Sequence, residues 1–76
     1  MPPRKLPQRP GERVEADLRR RLAAGEWGPD DQLPTMAQLA AHYQVGQGTI
    51  GRVLARLEAD GLVRIIPRWG IWPAAR

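Results

Sequence analysis

The chain has 76 residues, with 12 Lys and Arg against 8 Asp and Glu, a formal charge of +4 and no cysteine. That length allows one small domain with a single modest core, and the missing thiols exclude disulfides and thiolate metal sites. No apolar run reaches the ~18 residues of a membrane span and no signal-peptide core is present, so a cytoplasmic protein is expected.

Positive charge gathers at the two ends. Residues 1–10 carry Arg4, Lys5 and Arg9 with no acid, and residues 46–76 carry Arg52, Arg56, Arg64, Arg68 and Arg76 against Glu58 and Asp60. Residues 26–45 hold Glu26, Asp30 and Asp31 and no Lys or Arg. This distribution favours a polyanionic partner and equally describes a solvated basic surface. Residues 1–10 also hold Pro2, Pro3, Pro7 and Pro10, which predicts a flexible basic arm ahead of a domain over residues 11–76. Such an arm either follows DNA phosphates or is an ordinary solvated terminus.

From Glu12 to Ala24, Val14, Leu18 and Leu22 recur at helical spacing, acids come early and Arg19, Arg20 and Arg21 come late. This charge order complements a helix dipole, and Gly25 follows as a left-handed stop. The three arginines read as dipole partners or as a phosphate patch. Trp27 lies in a turn-rich connector beside the helix end and is expected to plug the core. Leu33 is kept extended by Pro34.

A second helix begins after Thr35 as N-cap, with Gln38 completing a capping box, and runs to about Tyr43. Met36, Leu39, Ala40 and Tyr43 form its apolar series, with Leu39, Ala40 and Tyr43 inward. Gln44, Val45 and Gly46 make the turn, with Val45 between the helices and Gly46 as N-cap. The third helix spans Gln47 to Asp60, with Ile50, Val53, Leu54 and Leu57 inward. At about 100° per residue, Gly48, Arg52, Ala55 and Ala59 point away from the core, and Gln47, Gly51 and Arg56 flank them. After Gly61 the period changes: Leu62 to Ile66 and Ile71–Trp72 read as two strands around Pro67, Arg68, Trp69 and Gly70. The predicted fold is mainly α with a small antiparallel hairpin, a winged helix-turn-helix.

Gly46, Gly48 and Gly51 spell G-x-G-x-x-G, but a helix precedes them where a dinucleotide fingerprint needs a strand, and no acidic ribose ligand follows at the required distance. Serine and cysteine are absent, Thr35 and Thr49 sit at helix starts, and the lone His42 has no acidic residue at helical spacing to orient it. The chain is therefore not expected to be an enzyme, nor to hold a cofactor or metal. A DNA-binding reading uses more of the residues. Thr35 and its neighbouring amides face a phosphate, Gln47, Gly48, Thr49 and Arg52 present the start of the third helix to base edges, and Arg68, Trp69 and Gly70 form the wing. Plainer roles stay open: Gln47 as a surface residue, Thr49 as a first-turn residue, Trp69 folded onto the core.

From about Val14 to Trp72 the chain resembles the DNA-binding domain of the GntR family of bacterial transcription regulators. The resemblance rests on Ala24 to Trp27 ahead of Leu33, Pro34 and Thr35, on Leu39, Ala40, Val45, Thr49 and Ile50, and on Leu54 to Val63. It implies a winged helix that binds double-stranded operator DNA, usually as a homodimer on a palindromic site, with repression as the expected sign. The chain departs from the family at Ala37 and Gly51, where arginine is common, and at Gly46, Gln47 and Gly48. It departs again around Arg68 and Trp69, where the wing glycine is replaced, while Gly70 matches. The effector domain that normally follows is not part of this sequence. An alternative from a different class is a winged helix serving as a protein-interaction or dimerisation module, with Trp69 and Trp72 packing on a partner.

Overall fold

The computed structural model describes residues 9–74. Its elements run α1 (Pro10–Ala23), α2 (Met36–Tyr43), α3 (Gln47–Ala59), β1 (Val63–Ile66) and β2 (Gly70–Pro73). The strands pair antiparallel, Val63 opposite Pro73 and Ile66 opposite Gly70. This is the three-helix domain with a two-stranded wing that the sequence predicts.

The first helix begins earlier than Glu12, at a residue the sequence reading placed in the arm. Arg9 is its extended N-cap and Pro10 its first helical residue. A proline suits that position, because its missing N–H has no helical acceptor there and its φ is already set. Residues 1–8, the rest of the expected arm, lie outside the described residues. At the other end Ala24 caps the helix and Gly25 takes φ 78°, the left-handed stop expected of it.

Arg19, Arg20 and Arg21 each meet an acid. Arg19 bridges Glu15 and Asp60, Arg20 pairs with Asp17, and Arg21 pairs with Glu26 while its guanidinium lies 4.6 Å over the Trp27 ring. Arg21 also donates to the Tyr43 hydroxyl at 2.9 Å, and that hydroxyl donates to Asp17 at 2.6 Å. The arginine run is thus spent on tying α1 to its own acids, to α2 and to the end of α3. Trp27 is half-buried against the core, as a plug.

Thr35 accepts from the Gln38 amide at 3.1 Å and the Gln38 side chain accepts from the Thr35 amide at 2.8 Å, which completes the capping box. Met36, part of the apolar series, is exposed; Leu39 and Ala40 are the buried residues of α2 and Tyr43 is half-buried. The reason is the cap: it makes Met36 the first helical residue, where the neighbouring helix covers only part of its side chain. Gln44 turns the chain at φ 58°, Val45 packs half-buried against the core, and Gly46 is the extended N-cap of α3.

The core is formed by Val14 and Leu18 of α1, Leu33, Leu39 and Ala40, Ile50, Val53, Leu54 and Leu57 of α3, and Val63 and Ile71 of the hairpin. Each fully buried aliphatic side chain contributes about 1.5–3 kcal/mol relative to exposure. Asp60 caps α3, and Gly61 at φ 77° redirects the chain into β1, which starts one residue after Leu62. The second strand is longer than Ile71–Trp72, taking in Gly70 and Pro73. Those two residues complete the register with β1, opposite Ile66 and Val63, and β2 also has a second neighbour: the Leu33 amide donates to the Ile71 carbonyl at 2.8 Å.

Candidate nucleic-acid interface

The outward side of α3 follows from which residues it buries. With Ile50, Val53, Leu54 and Leu57 inward, the line Gly48, Arg52, Ala55 and Ala59 is opposite the core, and all four are exposed. The two edges of this face meet different neighbours. On the α2 side, a Cβ placed on Gly51 would lie 3.4 Å from the Met36 Cε. On the α1 side, a Cβ on Gly11 would lie 3.6 Å from the Thr49 methyl group, and Arg56 pairs with Glu15 at 3.2 Å.

The predicted site residues therefore divide. Gln47, Gly48 and Arg52 are exposed on α3, and Gly48 has nothing within 4 Å of where a Cβ would stand. Thr49 is half-buried and leans toward α1. It borders, with Arg9, Arg52 and Arg56, an open hollow of about 300 Å³ between the start of α1 and the start of α3. Arg9 falls in the predicted arm, and the position of α1 brings it to this basic hollow.

Thr35 is exposed at the start of α2. Its capping box satisfies two backbone amides, which leaves the first-turn amides of Met36 and Ala37 directed out along the helix axis, with the positive end of the helix dipole. That geometry suits an anionic oxygen, and the Thr35 hydroxyl proton remains available to donate.

The wing is built tightly. Arg68 holds φ 72°, a left-handed conformation unusual for a residue with a side chain, and the Trp69 amide closes the loop onto the Ile66 carbonyl at 3.0 Å. Gly70 at φ 122° is required twice over, because a Cβ there would stand 1.9 Å from the Gln32 Nε2. That nitrogen donates to the Trp69 carbonyl at 2.8 Å. The Trp69 side chain is 73% exposed and does not fold onto the core. Sequence reasoning missed Gln32, which lies in a connector with no periodic pattern to mark it.

These contacts join the pieces into one surface. Gln32 and Leu33 are hydrogen-bonded to the wing, Thr35 follows two residues later, and Met36 touches α3. The start of α2 thus links the exposed face of α3 to the wing. Arg19, Arg20, Arg21 and Arg56 are paired with acids, whereas Arg9, Arg13, Arg52, Arg64 and Arg68 form no ion pair among the described residues, and Arg52 and Arg68 are the two of these on the predicted site. His42 is exposed, edge-on to Tyr43 with ring centroids 4.8 Å apart. Among the described residues no three His, Cys, Asp or Glu side chains are grouped to hold a metal ion, and no helix is long and apolar enough to cross a membrane. The G-x-G-x-x-G glycines lie in the turn and first turns of α3, after a helix.

Comparison with known proteins agrees with this geometry. The model of the family described as bacterial regulatory proteins, gntR family, matches residues 10–72. The chain is 39% identical over 54 residues to an HTH-type transcriptional repressor NanR of Klebsiella aerogenes, covering 71% of this chain and 21% of that protein. It is 33% identical over 61 residues to a histidine utilization repressor of the same species, covering 80% of this chain and 25% of the relative. The chain thus spans about a fifth to a quarter of the length of these relatives. In fold it superposes on the DNA-binding domain of AraR, solved in complex with operator ORE1, with a TM-score of 0.87 at 20% identity, covering 97% of this chain and 90% of that one.

Proposed function

The chain belongs to the gntR family of bacterial regulatory proteins, and from that premise we propose how its surface meets an operator and what that binding does. It is the winged-helix DNA-binding domain of a transcription regulator, a non-enzymatic role. In the proposed reading α3 enters the major groove. Gln47 pairs with adenine through its amide, Gly48 allows close approach, and Thr49 and Arg52 border the phosphates on the α1 side. The first-turn amides of α2 and the Thr35 hydroxyl hold one phosphate between the grooves. Arg68 and Trp69 reach the neighbouring minor groove, held in place by Gly70 and the Gln32 brace.

The observation that carries this reading is the continuity of the surface: the wing, the start of α2 and the exposed face of α3 are linked by direct contacts through Gln32, Leu33 and Met36. Two cations on that surface, Arg52 and Arg68, have no acid partner among the described residues. The named relatives are repressors, which supports repression as the sign of regulation. A homodimer on a palindromic operator and a cytoplasmic location complete the proposal.

The test is the salt dependence of binding to duplex DNA. Log affinity should fall linearly with log salt, with a slope reflecting roughly four to six phosphate contacts per pair of subunits. Binding that is undetectable on random duplexes, or indifferent to salt, would refute the reading.

A further inference from the structure

Met36 is the apolar side chain of the helix-turn-helix that the core does not use. It opens α2 with 36% of its surface exposed, and its Cε lies over the backbone of Gly51 in α3. Gly51 stands one helical turn after Gln47, so the two share the α2-facing edge of α3. The opposite edge is polar and basic, with Thr49, Arg52 and Arg56 around the hollow at the start of α1.

The recognition face is therefore asymmetric in chemistry. One border offers cations suited to phosphate oxygens. The other offers a flexible, polarisable thioether methyl that donates no hydrogen bond and accepts only weakly. Among the groups that base pairs display in the major groove, one alone matches such a surface. The edges of guanine, cytosine and adenine present donors and acceptors, whereas thymine adds a C5 methyl group. An apolar side chain that shields a polar base edge from water loses the hydrogen bonds of that edge, so Met36 disfavours other bases as well as favouring thymine.

We propose that Met36 is a specificity-determining residue that reads the 5-methyl group of a thymine, beside the base pair contacted by Gln47. This rests on the DNA-binding reading above. The fold positions Met36 for the role through the capping box of Thr35 and Gln38, which fixes the first turn of α2, and through Gly51, whose missing side chain leaves room for the thioether.

The experiment uses duplexes that the chain selects from a random pool, remade with each thymine replaced in turn by uracil, which removes the methyl group alone. At one thymine common to the selected sites, uracil should lower affinity about fourfold, the worth of one buried methyl group. In Met36→Ala that loss should vanish at the same position and persist at any other sensitive thymine. Met36 lies outside the buried core and alanine is a strong helix former, so the variant should stay folded at the temperature of the binding assay, which thermal unfolding checks. Selected sites without a common thymine, uracil tolerated at every position, or an equal loss in Met36→Ala would each overturn the proposal. Absence of duplex binding by the unaltered chain would overturn the DNA-binding reading instead, which separates the two failures.

Discussion

Gly48 separates stability from recognition. It is the second residue of α3, exposed, with nothing within 4 Å of the position a Cβ would take. Its φ is not in the left-handed range, so a side chain costs no backbone strain. Replacing a helical glycine with alanine is worth about 0.5–1 kcal/mol, with the lower end expected in a first turn. For a domain of this size that corresponds to a rise in Tm of about 2–8 °C. Leucine at the same site retains most of the helix gain but projects three further carbons from the face that approaches the bases. Hydrogen bonds from Gln47 and Arg52 require approach within about 3.2 Å, and a side chain between them holds the helix off. The bidentate contact of Gln47 alone is worth about 1–3 kcal/mol, so Gly48→Leu should bind a selected duplex at least about fivefold more weakly. Thermal unfolding and fluorescence anisotropy with labelled duplex measure the two effects. Unchanged affinity in a folded Gly48→Leu would refute the placement of α3 in the groove.

The wing gives two further predictions and the ionisable network a third. Arg68→Gly relieves a left-handed φ, so stability should hold or rise by up to about 1 kcal/mol after the added freedom of the unfolded chain. Duplex affinity should nevertheless fall, with the salt slope smaller by about one, and an unaltered slope would remove Arg68 from the phosphate contacts. Gly70→Ala meets both the φ of 122° and the Gln32 side chain, and should cost about 2–4 kcal/mol from strain and a lost hydrogen bond. Urea unfolding that matches the parent chain would show that the brace is not formed in solution.

The Tyr43 hydroxyl first, and Arg20 second, hold Asp17 below its usual range, and Arg21 does the same for Glu26; burial first, then Asp17, pushes Tyr43 up. The two carboxylates contribute stability that is present above about pH 4 and lost as pH falls through their folded values. Tyr43 contributes stability present below about pH 10 and lost as pH rises through its folded value. Urea unfolding across pH should therefore decline at both extremes, and Tyr43→Phe should flatten the alkaline decline; an alkaline slope that survives Tyr43→Phe would assign it elsewhere.

Local signals in the sequence were decisive where neighbours in the chain supply the partner. The capping box of Thr35 and Gln38, the stripe of Ile50, Val53, Leu54 and Leu57, and the stops at Gly25 and Gly61 all act within a few residues, and each was legible. Contacts between distant residues were not. The pairing of Leu33 with Ile71, the Gln32 brace on Trp69, and the Asp17–Tyr43–Arg21 chain join residues 22 to 38 positions apart, and nothing in spacing or composition announces them. Met36 shows the same limit from the other side. The apolar series includes it without placing it inward, and how much α3 covers depends on packing that periodicity does not report. The basic run Arg19 to Arg21 was ambiguous for a related reason, since Asp60 and Tyr43 lie far along the chain.

The central claim, one continuous DNA-binding surface, is tested most directly by amide chemical shifts during titration with a selected duplex. Changes should concentrate at residues 35–37, 46–52 and 68–70. Shifts that instead depend on protein concentration around Trp69 and Trp72 without DNA, with no response at the start of α3 when duplex is added, would contradict it and favour a protein-interaction surface.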